Sequence, residues 1–338
     1  MYTRININIK RTVYFLLLII FTLSGCNKKT EEEVEIYPFL RLGLQANESS
    51  KEYMAALKFA ELVNSFSEGT VEIKIFPNGQ FGDDKQMIQK VSTGILDITY
   101  ADTGRLGLWV PEAQIFGYPF VFDNFEHLKR TLKTNFGENL HQKLLDKGIR
   151  VLATGYNGTR QTTSNKPINS LEDMKGMKLR VPNAEPNIKF AELLGATAVV
   201  LPFNEVYTYL EAKAIDGQEN PLSTIDAKHF YEVQKYCAMT NHILNDNNFI
   251  ISESSYQLLS HRQQEAVRKS AELAAKYLTK LFKEDEIKLI EHMKDSGMIF
   301  TYPDIKPFRD ACMPLFYDYT KKFGDSAYHA ILGARKIN

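Results

Sequence analysis

The alternation of strand and helix patterns is the feature that most restricts how this chain can fold. A strand pattern at Phe39–Leu44 precedes a helix, a second strand at Val71–Phe76 precedes another helix, and a third strand follows at Leu96–Ala101. Alternation of this kind is typical of α/β proteins, in which helices cover both faces of a mostly parallel sheet. The first third of the chain is therefore predicted to form an α/β lobe.

The same alternation begins again beyond residue 150. Strand patterns at Lys178–Val181 and Ala198–Leu201 alternate with helical ones and predict a second α/β lobe. Ser260–Asp295 then contains no glycine or proline and consists largely of good helix formers. At ~1.5 Å per residue, a helix of that length would measure roughly 50 Å. It must therefore bend or span two lobes, so the predicted fold class is α/β with two lobes and a crossing segment.

The N-terminus reads as a targeting segment. Basic residues precede the apolar run Val13–Leu23, which is short for a membrane span and is followed directly by Ser24, Gly25 and Cys26. This order predicts a lipoprotein signal peptide over residues 1–25, a lipidated Cys26 and a polar tether over residues 26–36. The protein would then be anchored to a membrane and exposed to the periplasm. An ordinary signal peptide with a chance cysteine, or an uncleaved anchor, are the alternatives.

Composition and motifs exclude several function classes. The 41 basic and 41 acidic residues balance, which argues against nucleic acid as a partner. The chain has no phosphate loop, no HExxH or CxxC metal spacing and no GxSxG elbow. We therefore predict no catalytic residues, no metal site and no cofactor. The compartment permits a disulfide between Cys237 and Cys312, but we expect two buried, unpaired cysteines.

Polar side chains lie where several predicted strands end. Because ligands of open α/β sheets bind outside the carboxyl ends of strands, these residues are expected to converge on one cleft; they are Gln45, Asp102, Arg160, Arg180 and Asn220. An arginine presents a planar fork of donors that matches a carboxylate. Two arginines in one cleft would hold a small anionic ligand. The alternative is that each arginine is a solvated or structural charge.

Other polar residues leave more than one interpretation open. Asp84 and Asp102 could act as an acid/base pair, or they could accept hydrogen bonds from ligand hydroxyls. Asp83 and Asp84 could instead cap a helix. The enzymatic interpretation lacks a nucleophile, metal or cofactor beside them. His242 could line the cleft, but a lone histidine is more often a packing or hydrogen-bonding residue.

Several segments resemble one family in detail. The chain resembles the extracytoplasmic solute-binding proteins of tripartite ATP-independent periplasmic (TRAP) transporters, the DctP family, and most closely the members that bind sialic acid. The resemblance covers residues 39–332, and its motifs are Gln80–Asp84, Tyr156–Asn165, Met177–Asn183, Asp216–Pro221, Phe230–Gln234 and Thr240–Asp246.

The resemblance implies a two-lobe periplasmic-binding-protein fold with hinge strands and a long helix crossing both lobes. Lobe I would comprise residues 37–157 and 246–285, and lobe II residues 158–245 and 286–338. It also implies that a ligand is clasped as the lobes close and is passed to a sodium-coupled TRAP permease in the membrane. We expect a monomer without enzymatic activity.

Roles for individual residues follow from the same resemblance. Arg180 would pair with the ligand carboxylate through two hydrogen bonds, and Arg160 would be the second carboxylate arginine. Asn220 would donate to the same carboxylate. Phe203 would pack against the ligand and hold the arginine in orientation.

The first lobe would contact the sugar. Ala46, Asp84 and Arg105 match residues that bind the N-acetyl and polyol parts of sialic acid. Two positions depart from the sialic-acid binders, since Gln45 replaces an asparagine and Asp102 replaces a glutamate. The departures leave a second ligand open, another carboxylated sugar or organic acid. An enzyme acting on sialosides and a ligand sensor are further alternatives.

Overall fold

The structure, a computed structural model, describes residues 39–335. The predicted signal peptide, Cys26 and the tether lie outside these residues. The strands are β1 (Phe39–Gly43), β2 (Glu72–Phe76), β3 (Ile98–Ala101), β4 (Ile149–Ser164), β5 (Lys178–Val181), β6 (Thr197–Val200), β7 (Gly217–Pro221), β8 (Tyr236–Ala238), β9 (Leu244–Ser252) and β10 (Ile299–Thr301).

Helices fill most of the remaining described chain. They are α1 (Lys51–Phe66), α2 (Asp84–Ser92), α3 (Phe125–Leu132), α4 (Asn135–Leu145), α5 (Glu185–Leu193), α6 (Val206–Glu211), α7 (Leu222–Ala227), α8 (Phe230–Val233), α9 (Glu253–Gln257), α10 (His261–Asp295), α11 (Ile305–Cys312), α12 (Pro314–Phe323) and α13 (Ser326–Ala334). None of the helices within residues 39–335 has the length and apolar character needed to cross a membrane.

The strands form one continuous path in the order β2-β1-β3-β9-β4-β7-β5-β6, and β8 pairs with both β4 and β10. The outer pairs β1–β2, β1–β3, β5–β6 and β5–β7 are parallel, as the alternation predicted. The central pairs β3–β9, β9–β4 and β4–β7 are antiparallel. The parallel pairing predicted for the first lobe is therefore confirmed for β1, β2 and β3. The antiparallel centre, where strands distant in sequence join the two lobes, was not predicted.

Strand β4 belongs to both halves of this path. Its residues 149–159 pair with β9, and its residues 160–164 pair with β7. The prediction that this strand ends at Arg160 is therefore wrong. The segment Gln161–Ser164 is buried and continues the strand, because neighbouring strands satisfy its backbone groups. An irregularity between Tyr156 and Thr159 marks the transition from one half to the other.

Helix α10 crosses both lobes, as predicted. Ser260 caps it through a reciprocal pair of hydrogen bonds with Gln263. Its residues from Val267 to Phe282 join the core that contains β1 and α1. Met293 near its end joins a different core with α6 and α7. The two-lobe fold predicted from the sequence is thus the fold of the described chain.

The C-terminal helices pack against the first lobe. Leu315, Tyr319 and Ile331 share a core with Leu128 of α3. The ring of His127 also contacts the Ile331 carbonyl through Nε2, at 2.8 Å. We therefore propose that residues 314–335 belong to lobe I, whereas the sequence analysis assigned them to lobe II.

The two cysteines of the described chain are buried and unpaired, as expected. Burial raises the pKa of the Cys237 thiol, and it raises the pKa of Cys312 to about 12. Both therefore remain protonated at neutral pH and act as small apolar core residues.

Candidate functional site

One cavity gathers every ligand-binding residue predicted from the sequence. It encloses about 750 Å³, counting the space open to solvent at its mouth. Elements of both lobes line it. The predicted residues among its lining are Gln45, Ala46, Asp84, Asp102, Arg105, Arg160, Arg180, Phe203 and Asn220.

The first-lobe wall is built around the guanidinium of Arg105. This group forms ion pairs with Asp84, the first residue of α2, and with Asp102, which directly follows β3. The Asp102 carboxylate is held in place because Oδ1 also accepts from the Arg105 amide at 2.8 Å. Burial opposes the charge of Arg105, but the two carboxylates outweigh it and raise its pKa. The Arg105 charge is therefore neutralised within the protein.

Asp83, and not Asp84, caps helix α2. Its side chain accepts from the Gln86 amide, and the Gln86 side chain accepts from the Asp83 amide in return. The side chain of Asp84 therefore does not cap the helix and lines the cavity instead. Burial raises the pKa of Asp84, and the nearby charge of Arg105 partly offsets this effect. Gln45, two residues beyond β1, donates from Nε2 to the Gly82 carbonyl at 2.9 Å. Its Oε1 is buried and has no hydrogen-bond partner among the described residues.

Arg180 differs from the other arginines of the cavity because it has no carboxylate partner within residues 39–335. Its Nε and Nη2 donate to the Leu201 carbonyl at 3.1 and 2.7 Å. Its guanidinium carbon lies 5.7 Å from the centre of the Phe203 ring. These contacts fix one edge of the guanidinium, and no described residue accepts a hydrogen bond from Nη1. The edge formed by Nη1 and Nη2 is therefore available to an anion.

The charge of Arg180 is costly to maintain without that anion. Burial lowers its pKa to about 9, and the neighbouring Arg160 and Arg105 add to the effect against the opposing pull of Glu219. The group is still protonated at neutral pH. A carboxylate bound beside it would stabilise the charged form of Arg180, which burial destabilises.

Arg160 is paired inside the protein with Glu219, a residue that the sequence analysis missed. Its Nε donates to Glu219 Oε2, and its Nη2 donates to Glu219 Oε1 at 3.0 Å and to Asn220 Oδ1 at 3.1 Å. Burial opposes ionisation of Glu219, but Arg160 and His242 outweigh it and lower its pKa to about 2. The only sequence signal for Glu219 was its place inside the motif Asp216–Pro221.

His242 lies behind the cavity wall and not in it. Its ring stacks on Phe190 with the centroids 4.0 Å apart. Nε2 lies 3.1 Å from Glu219 Oε2, and Nδ1 lies 2.8 Å from the Thr240 hydroxyl. Burial lowers its pKa. His242 is therefore a packing and hydrogen-bonding residue that orients Glu219.

Further polar residues line the cavity without having been predicted. They are Glu52, Thr99, Tyr100, Asn157, Thr224, Asn245, Asp246 and Asn247. Asp246 accepts from the amide and hydroxyl of Thr103 and from Asn248, while burial and the nearby Asp102 raise its pKa to about 6. Asn157, Asn245 and Asp246 lie inside the motifs Tyr156–Asn165 and Thr240–Asp246. No local pattern distinguishes them from their neighbours, because most of these residues come from strand interiors and helix starts that are far apart in sequence.

The lining is rich in groups that bind polar ligands. Within residues 39–335 the cavity is lined by no histidine, cysteine, serine or lysine. The same part of the chain also contains no group of three His, Cys, Asp or Glu side chains that could hold a metal ion. What remains is an arginine edge for an anion, together with amides, carboxylates and a phenol for hydroxyl groups.

Comparison with known proteins agrees with this chemistry. Residues 42–322 match the family described as bacterial extracellular solute-binding protein, family 7 (DctP). The sialic acid-binding periplasmic protein SiaP of Vibrio cholerae is 42% identical over 93% of this chain and 97% of its own length. The 2,3-diketo-L-gulonate-binding periplasmic protein YiaO of Escherichia coli is 34% identical over 80% of this chain and 84% of its own.

A solved structure shares the fold. The TRAP periplasmic solute-binding protein of Roseobacter denitrificans OCh 114 with bound L-galactonate superposes with a TM-score of 0.82 at 31% identity. The match covers 86% of this chain and 98% of that one. Similar proteins are therefore solute-binding proteins, and the ligands named for them are several different carboxylated sugars.

Proposed function

The chain belongs to the bacterial extracellular solute-binding proteins of family 7, and on that premise we propose that it captures sialic acid (N-acetylneuraminate) in the cavity between its lobes. The unpaired Arg180 carries the proposal. The charges of Arg105 and Arg160 are met by Asp84, Asp102 and Glu219, whereas Arg180 meets none. A ligand carboxylate would supply the missing partner through two parallel hydrogen bonds.

The other second-lobe residues support that carboxylate. Asn220 donates through one hydrogen of Nδ2 to Gln218 Oε1, and its second hydrogen is available to a ligand oxygen. Arg160 also has a free Nη1 group, because no described residue accepts a hydrogen bond from it. Two cations contact the ring of Phe203. Arg180 packs on it, and Lys228 Nζ lies 5.0 Å from the ring centre. Phe203 would therefore hold Arg180 and contact the ligand ring.

The first-lobe residues would receive the sugar. Asp84, Asp102 and Gln45 present acceptors, and Arg105 keeps a buried Nε that has no partner among the described residues. Alternating donors and acceptors suit hydroxyl and N-acetyl groups, which both give and receive hydrogen bonds. The similarity to SiaP at 42% identity favours sialic acid. Gln45 and Asp102 differ in length from the residues usual in sialic-acid binders. Other sugar acids are therefore tested as ligands as well.

Isothermal titration calorimetry on protein lacking residues 1–26 tests the ligand. Sialic acid is expected to bind one to one and to be recovered chemically unchanged. At ~100 times the Kd, it should add roughly 2.7 kcal/mol to the free energy of unfolding. L-Galactonate, D-galacturonate and D-glucuronate serve as competitors. Binding of one of these acids without binding of sialic acid would transfer the assignment to that acid, and turnover of a sialoside would contradict the carrier function.

We further propose that the loaded protein delivers its ligand to the membrane subunits of a sodium-coupled TRAP permease. It would act as a monomer in the periplasm and need no cofactor of its own. Delivery is tested in proteoliposomes that contain the permease. Uptake of labelled sialic acid should require both this protein and a sodium gradient.

Cys26 is proposed to anchor the protein to the membrane through a lipid. Cys26→Ala is expected to move the protein from the membrane fraction to the soluble periplasmic fraction, because a lipid chain supplies the affinity for the bilayer. Incorporation of labelled palmitate measures the modification directly. Cys237→Ala is the matched control and should leave both results unchanged. Absence of labelled palmitate from the unaltered protein would refute the lipid anchor.

A further inference from the structure

Tyr100 carries a hydroxyl group for which the described residues provide no hydrogen-bond partner. The residue lies on β3, is only 8% exposed, and lines the cavity. Its hydroxyl is buried and makes no hydrogen bond to any described residue. A buried polar atom without a partner costs stability, and such groups are rare in folded proteins. An unpartnered hydroxyl on the wall of a binding cavity points to a ligand group as the missing partner.

Packing restricts the side chain of Tyr100. The ring of Tyr100 meets Phe249 edge to face, with the centroids 4.5 Å apart and the planes at 67°. Phe249 is fully buried in the core of the first lobe. The aromatic contact therefore restricts rotation of the ring, and Tyr100 itself lines the cavity.

Two acceptors line the same cavity without an assigned role. Glu52 lies in the first turn of α1, close enough that its charge raises the pKa of Tyr100 further, after the larger effect of burial. Asn157 lies at the irregularity of β4, and its buried Oδ1 has no partner within residues 39–335. One donor and two acceptors match ligand hydroxyl groups, which accept and donate.

We propose that Tyr100, Glu52 and Asn157 form a hydroxyl-binding subsite of the cavity, in which the Tyr100 phenol donates to a hydroxyl oxygen of the ligand. The inference rests on the proposed function, since it takes the ligand to be a carboxylated sugar held by Arg180. Because Arg180 holds the carboxylate in the proposed function, the subsite would select the hydroxyl groups of the ligand.

Tyr100→Phe tests the subsite because it removes only the oxygen. The Kd for sialic acid is expected to rise about 3- to 10-fold, the usual range for a lost neutral hydrogen bond. The melting temperature of the ligand-free protein should stay the same or rise, since the hydroxyl has no internal partner to lose. Tyr118→Phe, a buried tyrosine outside the cavity, is the matched control and should leave the Kd unchanged.

Deoxy analogues of the ligand identify the hydroxyl involved. Calorimetry with a set of singly deoxygenated sialic acids should yield one analogue that binds the unaltered protein more weakly but binds Tyr100→Phe with nearly the same Kd as the parent sugar. That coupling would support the contact. An unchanged Kd in Tyr100→Phe, or equal losses for every analogue in both proteins, would overturn the subsite.

The two proposals fail in different ways. If the unaltered protein binds no sialic acid but binds L-galactonate, the proposed ligand is wrong, and the Tyr100→Phe comparison is then made with galactonate and its deoxy forms. A 3- to 10-fold loss there would support the subsite on its own. An unchanged galactonate Kd would overturn it.

Discussion

Arg180→Ala is expected to weaken the binding of sialic acid by a factor of roughly 30 to several thousand. The variant removes the one cavity arginine without an internal carboxylate partner, so the ligand carboxylate would be desolvated and left unpaired. Removing one partner of a buried, hydrogen-bonded charge pair typically costs about 2–5 kcal/mol. Calorimetry at neutral pH measures the loss, with displacement titration where the affinity falls out of range.

Two companion variants isolate the cause. Arg180→Lys retains a positive charge but lacks the planar fork, and we expect an intermediate Kd. Arg268→Ala removes an arginine from the exposed face of α10, where it pairs with Glu272, and should bind like the unaltered protein. An affinity for Arg180→Ala within threefold of the unaltered protein would remove Arg180 from the proposed carboxylate site.

Glu219→Gln is expected to lower the free energy of unfolding by about 3–5 kcal/mol. Glu219 is fully buried and forms an ion pair with Arg160, which is itself buried. The variant leaves the Arg160 charge without a counterion in the protein interior, and breaking a buried pair from one side has a cost of this size. Urea unfolding of the ligand-free protein measures it. Glu192→Gln, in an exposed pair with Lys189, should change stability by less than about 1 kcal/mol.

The unaltered protein and Glu219→Gln are also expected to differ in how their free energy of unfolding changes at acid pH. The pKa of Glu219 lies at about 2, below its ordinary value of 4.5, so its ionised form stabilises the folded protein. This contribution is complete above pH ~4.5 and is lost as the pH falls through about 2, and the shift corresponds to roughly 3 kcal/mol. The stability gap between the unaltered protein and Glu219→Gln should therefore narrow across that range. A constant gap from pH 5 to pH 2 would contradict the assigned ion pair.

Much of the fold could be predicted from local patterns. The helix starting at Lys51 is capped by Ser50, and α10 begins and ends within one residue of its predicted bounds. These features depend on side chains three or four residues apart, which interact whether or not the rest of the chain has folded. The antiparallel centre of the sheet was not predicted, because β9 and β4 pair although they lie far apart in the chain.

The candidate site was predicted in part for a similar reason. Gln45, Asp102 and Asn220 lie at or just beyond the ends of β1, β3 and β7, and the rule for strand ends brings such residues to one cleft. Arg160 did not fit that rule, because β4 continues to Ser164 through pairing with β7. Glu219 and Tyr100 were missed, since their importance depends on contacts and on a missing partner, which only coordinates show.

By itself, the sequence determined the order of elements, the two α/β units, the crossing helix and the family to which the chain belongs. Short-range periodicity carries the order of elements and the length of the long helix, and the motifs that resemble the family carry the membership and the crossing of both lobes. Only the tertiary structure decided which arginine lacks a partner. Arg160 reaches Glu219 because the antiparallel register of β4 and β7 pairs Arg160 with Pro221 and leaves Glu219 two residues away on the same face. Arg180, by contrast, lies in β5 beside a backbone carbonyl. Charge pairing inside a protein depends on distances between remote segments, and those distances arise only when the chain is folded.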